Sequence, residues 1–452
     1  MNIKYNVFDN LGTSLTLNTR RDLSDLDLVN LSFSDFKLGL ETDYSQAFSA
    51  GYDPKLMGFL TTQLSYKANY SDDWNRSSET RRSTMNRSWG VNGKFDHIAF
   101  LGGDGESSKR HFRGRRGNVR GGGSKEKETE RPFYDPPLAV LRFLTGWIKA
   151  PSYSYSESFK SSVPGMVSRP LWRYRFGLAK EPDVEIVSAD RSPSSGESVG
   201  YDLSSGFTLF GGLVTDVKFR RSISRDIVKQ GSRYENISTD WPDLRIQINK
   251  FKSLPLIGPV INRIIDILAP RTAFSRSTRE TIDLEGGFTT KKSEDISYSP
   301  LLSINFKLFR KLSLTGSYNL SKNKGEKYNS STGEPQSITQ STQKTMAFSS
   351  KYSFSAPGGI GIPMLGKIKF QSTVSIRLNV KINSSLTETS TSGRPFAVST
   401  DKSDFTSSAI ISYAFSQQIK GGITTRWQDS NDNYRNRKSH VRELQIWTEL
   451  KF

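Results

Sequence analysis

The residues best placed to supply a catalytic nucleophile are Gly196-Glu197-Ser198-Val199-Gly200, which match the G-x-S-x-G pattern literally. In enzymes with that pattern, the serine sits on a sharp strand-to-helix turn and a histidine acts as its base. Here the pattern follows Arg191-Ser192-Pro193-Ser194-Ser195, and a stretch so rich in Ser, Gly and Pro predicts a loop. We therefore interpret the match as a chance occurrence in a serine-rich chain.

Residues that bind metal ions or cofactors are also poorly placed. The three histidines, His97, His111 and His440, are far apart in sequence, and the chain has no cysteine. The stretch 429–433 is similar to a calcium loop, but Tyr434 occupies the glycine position and His440 stands where a bidentate glutamate belongs. A phosphate-binding glycine loop followed by lysine is absent from the sequence. The sequence therefore predicts no catalytic residue, no cofactor and no metal site, and the chain is not expected to be an enzyme.

The composition narrows the class of protein. Of the 452 residues only 34% are hydrophobic, the mean hydropathy is -0.54, and no run approaches the ~18–20 apolar residues of a membrane helix. A transmembrane β-barrel escapes that requirement, because its strands expose apolar side chains to lipid at only every second residue. The 27 Phe, 17 Tyr and 7 Trp suit strands and interfacial girdles.

The net charge of +19 would suit binding to nucleic acid or to an anionic membrane. A Gly/Arg-rich segment, 102–134, contains the RGG-like stretch 113–123, but no aromatic residue lies between its arginines. Such a composition cannot bury enough apolar surface to fold, and it predicts a disordered loop. We interpret the positive charge as a cationic lumen and loop set, and no nucleic-acid partner is expected.

The C-terminal stretch 441–452 carries the clearest alternation. One face of an extended chain would hold Leu444, Ile446, Thr448, Leu450 and Phe452, and only Trp447 breaks the pattern. A final strand of this kind, ending on an aromatic residue, resembles the signal by which outer-membrane barrels are recognised by the insertion machinery. The alternative is an amphipathic edge strand of a soluble β-protein. The sequence thus predicts a membrane-insertion strand at 441–452.

Further strands alternate in the same way along the chain. We predict them near 58–70, 83–95, 281–290, 296–308, 312–322, 345–354, 367–382, 405–415 and 419–427. Most are close to the ~9–11 residues with which a tilted strand crosses a membrane. Polar stretches predicted to be loops separate them, at 71–82 and, as long loops, at 323–344, 383–404 and 428–440. Reading backwards from the end, these long connections alternate with short ones, as in outer-membrane barrels.

Two segments have helical rather than strand periodicity. Residues 137–150 and 255–268 place apolar side chains along one stripe, and both begin at proline. Each is too short to span a bilayer. We therefore predict two short amphipathic helices at the barrel rim or in its lumen. The predicted organisation of the chain is then barrel strands at 1–101, a disordered loop at 102–134 and further barrel strands, with the two helices, at 135–452.

The N-terminal stretch 1–8 lacks the apolar segment of a signal peptide, which an exported barrel requires. The stretch already alternates like a strand, with Ile3, Tyr5 and Val7 on one face. The expectation is therefore that the sequence is the C-terminal portion of a longer polypeptide.

Beyond this general pattern, residues 135–452 resemble the C-terminal part of the SprA family, the very large outer-membrane barrels of the type IX secretion system. The resemblance is carried by Tyr153-Ser154-Tyr155-Ser156-Glu157, Val163-Pro164-Gly165-Met166, Trp172-Arg173-Tyr174-Arg175-Phe176-Gly177-Leu178, Ser238-Thr239-Asp240-Trp241-Pro242-Asp243-Leu244, Tyr298-Ser299-Pro300-Leu301 and the terminal strand. It implies an antiparallel β-barrel in the outer membrane of a diderm bacterium, exporting folded proteins through its lumen. Implied partners are outer-membrane lipid, secreted cargo, and plug and periplasmic subunits, with a link to gliding motility in some bacteria.

Two other functions fit the residues without this resemblance. A self-contained barrel of ~14–16 strands would act as a porin or nutrient receptor. A soluble, basic β-rich binding protein would express without detergent.

Overall fold

The structure is a computed structural model. It describes residues 2–8, 10–22, 40–54, 56–77, 79–101, 141, 145–187, 193–209, 212–228, 233–249, 265–308, 311–329, 331–362, 366–415 and 418–450. Of the side chains in 356–372, nothing is described. The predicted disordered loop 102–134 lies outside the described residues.

The described chain is almost entirely β-strand. The strands are β1 (Asn2–Phe8), β2 (Leu11–Asp22), β3 (Leu40–Tyr52), β4 (Leu60–Asn75), β5 (Thr80–Phe95), β6 (Ile148–Met166), β7 (Ser194–Leu209), β8 (Leu213–Val228), β9 (Tyr234–Ile248), β10 (Ile265–Asp283), β11 (Phe288–Leu308), β12 (Leu312–Tyr328), β13 (Pro335–Ile362), β14 (Gly366–Thr391), β15 (Ala397–Ala414), β16 (Ile419–Asp432) and β17 (Arg437–Leu450). Two one-turn helices, α1 (His97–Phe100) and α2 (Trp172–Arg175), accompany them. Among the described helices, none is long and apolar enough to cross a membrane.

The chain divides into two compact units. Unit 1 comprises residues 1–205, 219–238 and 281–288, and unit 2 comprises residues 206–218, 239–280 and 289–452. In unit 1, β1 to β6 pair consecutively in antiparallel register. In unit 2, β11 to β17 do the same. The prediction of an all-β, antiparallel fold is confirmed.

Unit 1 contains a small buried core on one face of its sheet. Tyr70, Met85 and Phe159 project from β4, β5 and β6, and Tyr174 of α2 covers them. The segment 167–187, which we call the strap, leaves β6 and folds back over this face. Its two ends lie side by side, because Val167 N–H donates to the Glu185 carbonyl and Val187 N–H donates to the Gly165 carbonyl.

The strands of unit 2 are much longer than predicted. The stretches 323–344, 383–404 and 428–440, which we expected to be long loops, are mostly paired strand and close in tight turns. Connections of no more than six residues join each strand from β11 to β17 to the next. Backbone pairing therefore continues beyond the point where apolar residues stop alternating, and the loop predictions there were wrong. The alternation of long and short connections does not hold in this unit.

Similar corrections apply elsewhere. The stretch 71–82 forms the ends of β4 and β5 around a short turn, and 281–290 contains the turn between β10 and β11 instead of one strand. The predicted helix 137–150 lies mostly outside the described residues; Leu141 and Thr145 are helical, but Ile148 already begins β6. The predicted helix 255–268 is likewise described only from Ile265, where β10 begins. At the C-terminal end of both segments the helical spacing of apolar residues was misleading, because the residues from Ile148 and from Ile265 onward belong to strands.

Candidate functional site

The predicted insertion strand lies in β17 and exposes one apolar face. The side chains of Leu444, Ile446 and Leu450 are 71%, 77% and 57% exposed, and Thr448 is exposed beside them. Phe452 lies outside the described residues. Exposed apolar patches of this kind mark contact with a membrane or another protein, because water disfavours them.

The registers of unit 2 extend this face across neighbouring strands. Ile446 pairs with Ile423, which pairs with Ile411, which pairs with Ile376. We call the resulting surface the apolar belt. Its positions are the alternate residues of 312–320 on β12, 346–354 on β13, 374–382 on β14, 405–415 on β15, 419–427 on β16 and 444–450 on β17. Most are apolar, and many are more than one-third exposed.

The opposite face of the same strands is polar. Thr345 donates to Asn383, Ser349 donates to Asn379, and Asn379 in turn donates to Ser408, each within 3.3 Å. These cross-strand hydrogen bonds tie three strands together on a surface that is mostly polar, with Ile410 and Trp447 as its large apolar side chains. The sheet of unit 2 therefore presents one face suited to hydrocarbon and one suited to water.

The described part of the belt spans nine residues on β12, β13, β14 and β16, eleven on β15 and seven on β17. Nine residues at ~3.3 Å per residue are about 30 Å along the strand. Charged and polar side chains follow immediately on the same face: Lys322 comes after Leu320, and Lys344 comes before Met346. The change from apolar to polar is thus sharp on β12 and β13.

The polar boundary of the belt is inclined to the strands. The last belt residue before the polar part is, from β12 to β17, Leu320, Met346, Ile382, Phe405, Trp427 and Leu444. Relative to the residue paired with its predecessor, this position shifts by two residues at β13, by none at β14 and β15, and by two each at β16 and β17. The boundary therefore moves by six residues over five steps from one strand to the next. At ~3.3 Å per residue and ~4.8 Å between strands, the strands are inclined by about 40° to the direction that lies in the sheet and is perpendicular to this boundary. The belt is then about 23 Å tall. Strands of transmembrane barrels are inclined by ~35–45° and carry an apolar band ~25 Å tall.

Aromatic residues lie at both edges of the belt. Phe405 and Trp427 are the last belt residues before the polar part on β15 and β16. At the other edge, the rings of Tyr413 and Phe415 are 4.9 Å apart, and Tyr352 stacks on Phe354. Aromatic side chains with a polar atom favour the boundary between apolar and aqueous surroundings.

Trp447, the residue that interrupts the alternation of β17, lies on the polar face. It pairs with Gly422, and a Cβ atom at Gly422 would approach the indole ring to 2.8 Å and the Ile411 carbonyl oxygen to 2.3 Å. The glycine therefore makes room for the ring. The interruption in the sequence is a packing contact within the sheet and leaves the belt intact.

Unit 1 has an apolar face of its own. Phe48, Tyr66, Trp89 and Tyr155 are large apolar side chains on this face of β3, β4, β5 and β6, next to the part that the strap covers. Under the strap the face carries the buried core of Tyr70, Met85 and Phe159 together with charged side chains.

The residues with apparent chemical motifs do not assemble into a reactive site. Ser198 lies within strand β7, so the expectation of a loop was wrong, and the strand provides no strand-to-helix turn. Asp429 lies in β16 and accepts hydrogen bonds from His440 and Arg442, each at 2.7 Å. Across the part of the chain that the structure describes, no group of three His, Asp or Glu side chains could hold a metal ion.

Sequence reasoning missed the strap and its partners. Arg169 reaches Glu41, 128 residues earlier in the chain, and Asp72, 97 residues earlier. No local periodicity signals contacts across such separations. The only hint was the Trp172–Leu178 motif, which proves to contain α2 and the buried Tyr174.

Comparisons with known proteins add little. No family model matches the chain, and no curated protein matches it. A solved structure titled "Bacterial polysaccharide outer membrane secretin" is similar over 92% of each chain, with 9% sequence identity and a TM-score of 0.27. At that TM-score the likeness carries no argument about the fold or the function of this chain.

Proposed function

We propose that the chain forms part of an outer-membrane β-barrel, with the apolar belt against lipid and the polar face toward a water-filled lumen. The inclination of the polar boundary of the belt carries this proposal, because it matches the strand tilt of a lipid-crossing barrel wall. A soluble sheet has no physical reason to end its apolar residues along one line inclined to its strands. In hydrocarbon, strands must also satisfy all their backbone groups by pairing, as β11 to β17 do with each other.

Cysteine labelling tests this arrangement directly, because the native chain contains no cysteine. Ile446→Cys and Gln445→Cys place a thiol on the belt and on the polar face of the same strand. In phosphatidylcholine vesicles a water-soluble maleimide should label Gln445→Cys readily and Ile446→Cys hardly at all. Both variants should react equally once detergent and urea unfold the chain. Equal labelling of the two folded variants would contradict the proposal.

More specifically, we propose that the barrel conducts folded proteins as a component of the type IX secretion system. This rests on the sequence resemblance to the SprA family. A lumen face with short polar side chains suits the role, since passage requires weak, non-specific contact with cargo. Partners would be outer-membrane lipid, cargo, plug and periplasmic subunits, and the barrel-insertion machinery.

The positive charges of the lumen face suggest which cargo such a pore would favour. Lys351 and Arg377 lie opposite each other in register, and Lys381 follows on the same face of β14. All three side chains are exposed. They would attract acidic proteins.

Charge reversal tests the role in export. In a bacterium that carries the type IX system, replacing Lys351, Arg377 and Lys381 by Glu should lower secretion of acidic cargo, while replacement by Gln has a smaller effect. Immunoblots of culture supernatants give the measurement. Unchanged secretion of acidic cargo would refute the charge preference, and normal secretion in a strain lacking this chain would refute the type IX role.

A further inference from the structure

The strap is firmly seated on the face of unit 1. The Tyr174 ring packs against Tyr70 with ring centroids 6.1 Å apart, and its hydroxyl donates to Ser161 Oγ at 3.1 Å. Burial raises the pKa of the Tyr174 hydroxyl. Gly177 adopts φ +71°, and a Cβ atom there would approach Arg87 Cβ to 2.7 Å. The strap therefore has one defined position.

Ion pairs of Arg169 hold the strap near its N-terminal end. Arg169 Nε donates to Asp72 Oδ2 at 2.8 Å, and the same guanidinium contacts Glu41. The Asp72 side chain is fully buried between Arg169 and Arg81. The Arg169 guanidinium also stacks over the Tyr44 ring at 4.0 Å. Buried charges with several partners keep their geometry, because removing one partner leaves the remaining charges buried without compensation.

The strap turns back at the edge of the apolar face. The Phe176 ring lies 5.3 Å from that of Phe48, and the Tyr66 hydroxyl donates to the Phe176 carbonyl. Phe48 and Tyr66 lie on this face next to the part that the strap covers, where Tyr70 is buried. The turn of the strap around Phe176 thus lies at the boundary between the open apolar part of the face and the part under the strap.

Apolar side chains at this turn point away from the sheet. Leu171, Trp172 and Leu178 are 57%, 53% and 61% exposed. Trp172 lies one helical turn before Phe176, and the Phe176 N–H donates to the Trp172 carbonyl. The exposed Arg173 guanidinium lies 5.8 Å from the Trp172 ring. Tryptophan and arginine side by side on an apolar patch are typical of the lipid headgroup region.

We infer that Leu171, Trp172 and Leu178 anchor the strap in the lipid headgroup region, with Arg173 beside the lipid phosphates. The inference rests on the proposed function, because it needs the apolar face of unit 1 to meet lipid. Its occupant is the membrane surface, since the patch is continuous through Phe176 with that face and carries a cation for anionic headgroups. Rigid seating by the buried ion pairs would fix how deep the patch lies.

Fluorescence quenching by nitroxide lipids tests the depth. A fluorophore is attached to Trp172→Cys, Val187→Cys or Ile446→Cys in the full chain, which is then reconstituted in phosphatidylcholine–phosphatidylglycerol vesicles. Val187 is the matched control, because it is an exposed apolar residue of the same strap at the end farthest from the turn. We expect the label at 172 to lose fluorescence with a nitroxide near the headgroup, and the label at 446 with a nitroxide deep in the acyl chains. The label at 187 should stay bright with both.

The outcomes separate the two proposals. Quenching at 446 without quenching at 172 overturns the anchor and leaves the barrel standing. Equal quenching at 172 and 187 also overturns it, since the turn then has no special depth. A label at 172 that lipid does not quench, but that a second protein shields, would assign the patch to a partner subunit instead. Absence of quenching at 446 refutes the barrel and the anchor with it.

Discussion

Ile446→Arg is the sharpest test of the apolar belt. Ile446 is 77% exposed and pairs with Ile423, which lies in the middle of the belt on β16. On a soluble protein this change would place a charge in water on an already exposed site, and substitutions of that kind alter stability by less than ~0.5 kcal/mol. In a membrane the same guanidinium would lie near the bilayer midplane.

The two surroundings therefore predict different magnitudes. Arginine on the lipid face of a barrel costs about 2–4 kcal/mol at the midplane and about 0–1 kcal/mol near the interface. The larger cost corresponds to a fall of about 30-fold to 700-fold in the ratio of folded to unfolded protein. Leu444→Arg should cost less than Ile446→Arg, because Leu444 is the last belt residue before the polar part of β17.

The measurement is urea unfolding of the chain in phosphatidylcholine vesicles, followed by tryptophan fluorescence. Gln445→Arg is the control, since it adds the same side chain to the polar face of the same strand, and it should change the free energy of unfolding by less than ~0.5 kcal/mol. Equal effects of Ile446→Arg and Gln445→Arg would refute the assignment of the belt to lipid. A larger effect at Leu444 than at Ile446 would contradict the depth assigned here.

Three further substitutions test other contacts. Gly422→Val should destabilise the folded chain by about 1–3 kcal/mol, because its side chain would collide with Trp447 and the sheet backbone; thermal unfolding followed by circular dichroism should show a lower midpoint, and an unchanged midpoint would contradict the contact. Tyr174→Ala should free the strap, since loss of a buried aromatic ring costs about 3–5 kcal/mol; limited proteolysis should then cut near α2, where the native chain resists. Asp72→Ala should have a similar effect, because removing one partner of a buried ion pair costs about 3–5 kcal/mol, whereas Asp73→Ala, an exposed neighbour, should leave the protease pattern unchanged.

Sequence patterns located the centres of the strands but not their ends. The predicted strand 312–322 coincides with the belt part of β12, which continues to Tyr328. Apolar alternation arises only where one face meets an apolar medium and the other meets water. Beyond the belt both faces of a strand such as β13 are polar, so the period of two vanishes while the hydrogen-bonded ladder continues.

The strap could not be predicted for a different reason. Besides the nearby Phe159 and Ser161, its partners include Glu41 for Arg169, Tyr70 for Tyr174 and Phe48 for Phe176, which are about 100 to 130 positions away in the chain. Long-range pairs of this kind leave no periodic signal. The belt face of β17 was predictable because each of its residues responds to the same medium, independently of any single partner.

The polar ends of the long strands have a consequence for what meets the chain from outside. On β13, eleven residues, from Pro335 to Thr345, extend past the belt, which at ~3.3 Å per residue carries the turn roughly 36 Å further along the strand direction. If the belt lies in lipid, a protein approaching the membrane from that side would first encounter the connections from β12 to β13, from β14 to β15 and from β16 to β17. These connections are then the natural positions for an epitope tag, since an insertion there lengthens a turn and leaves the ladder below it paired.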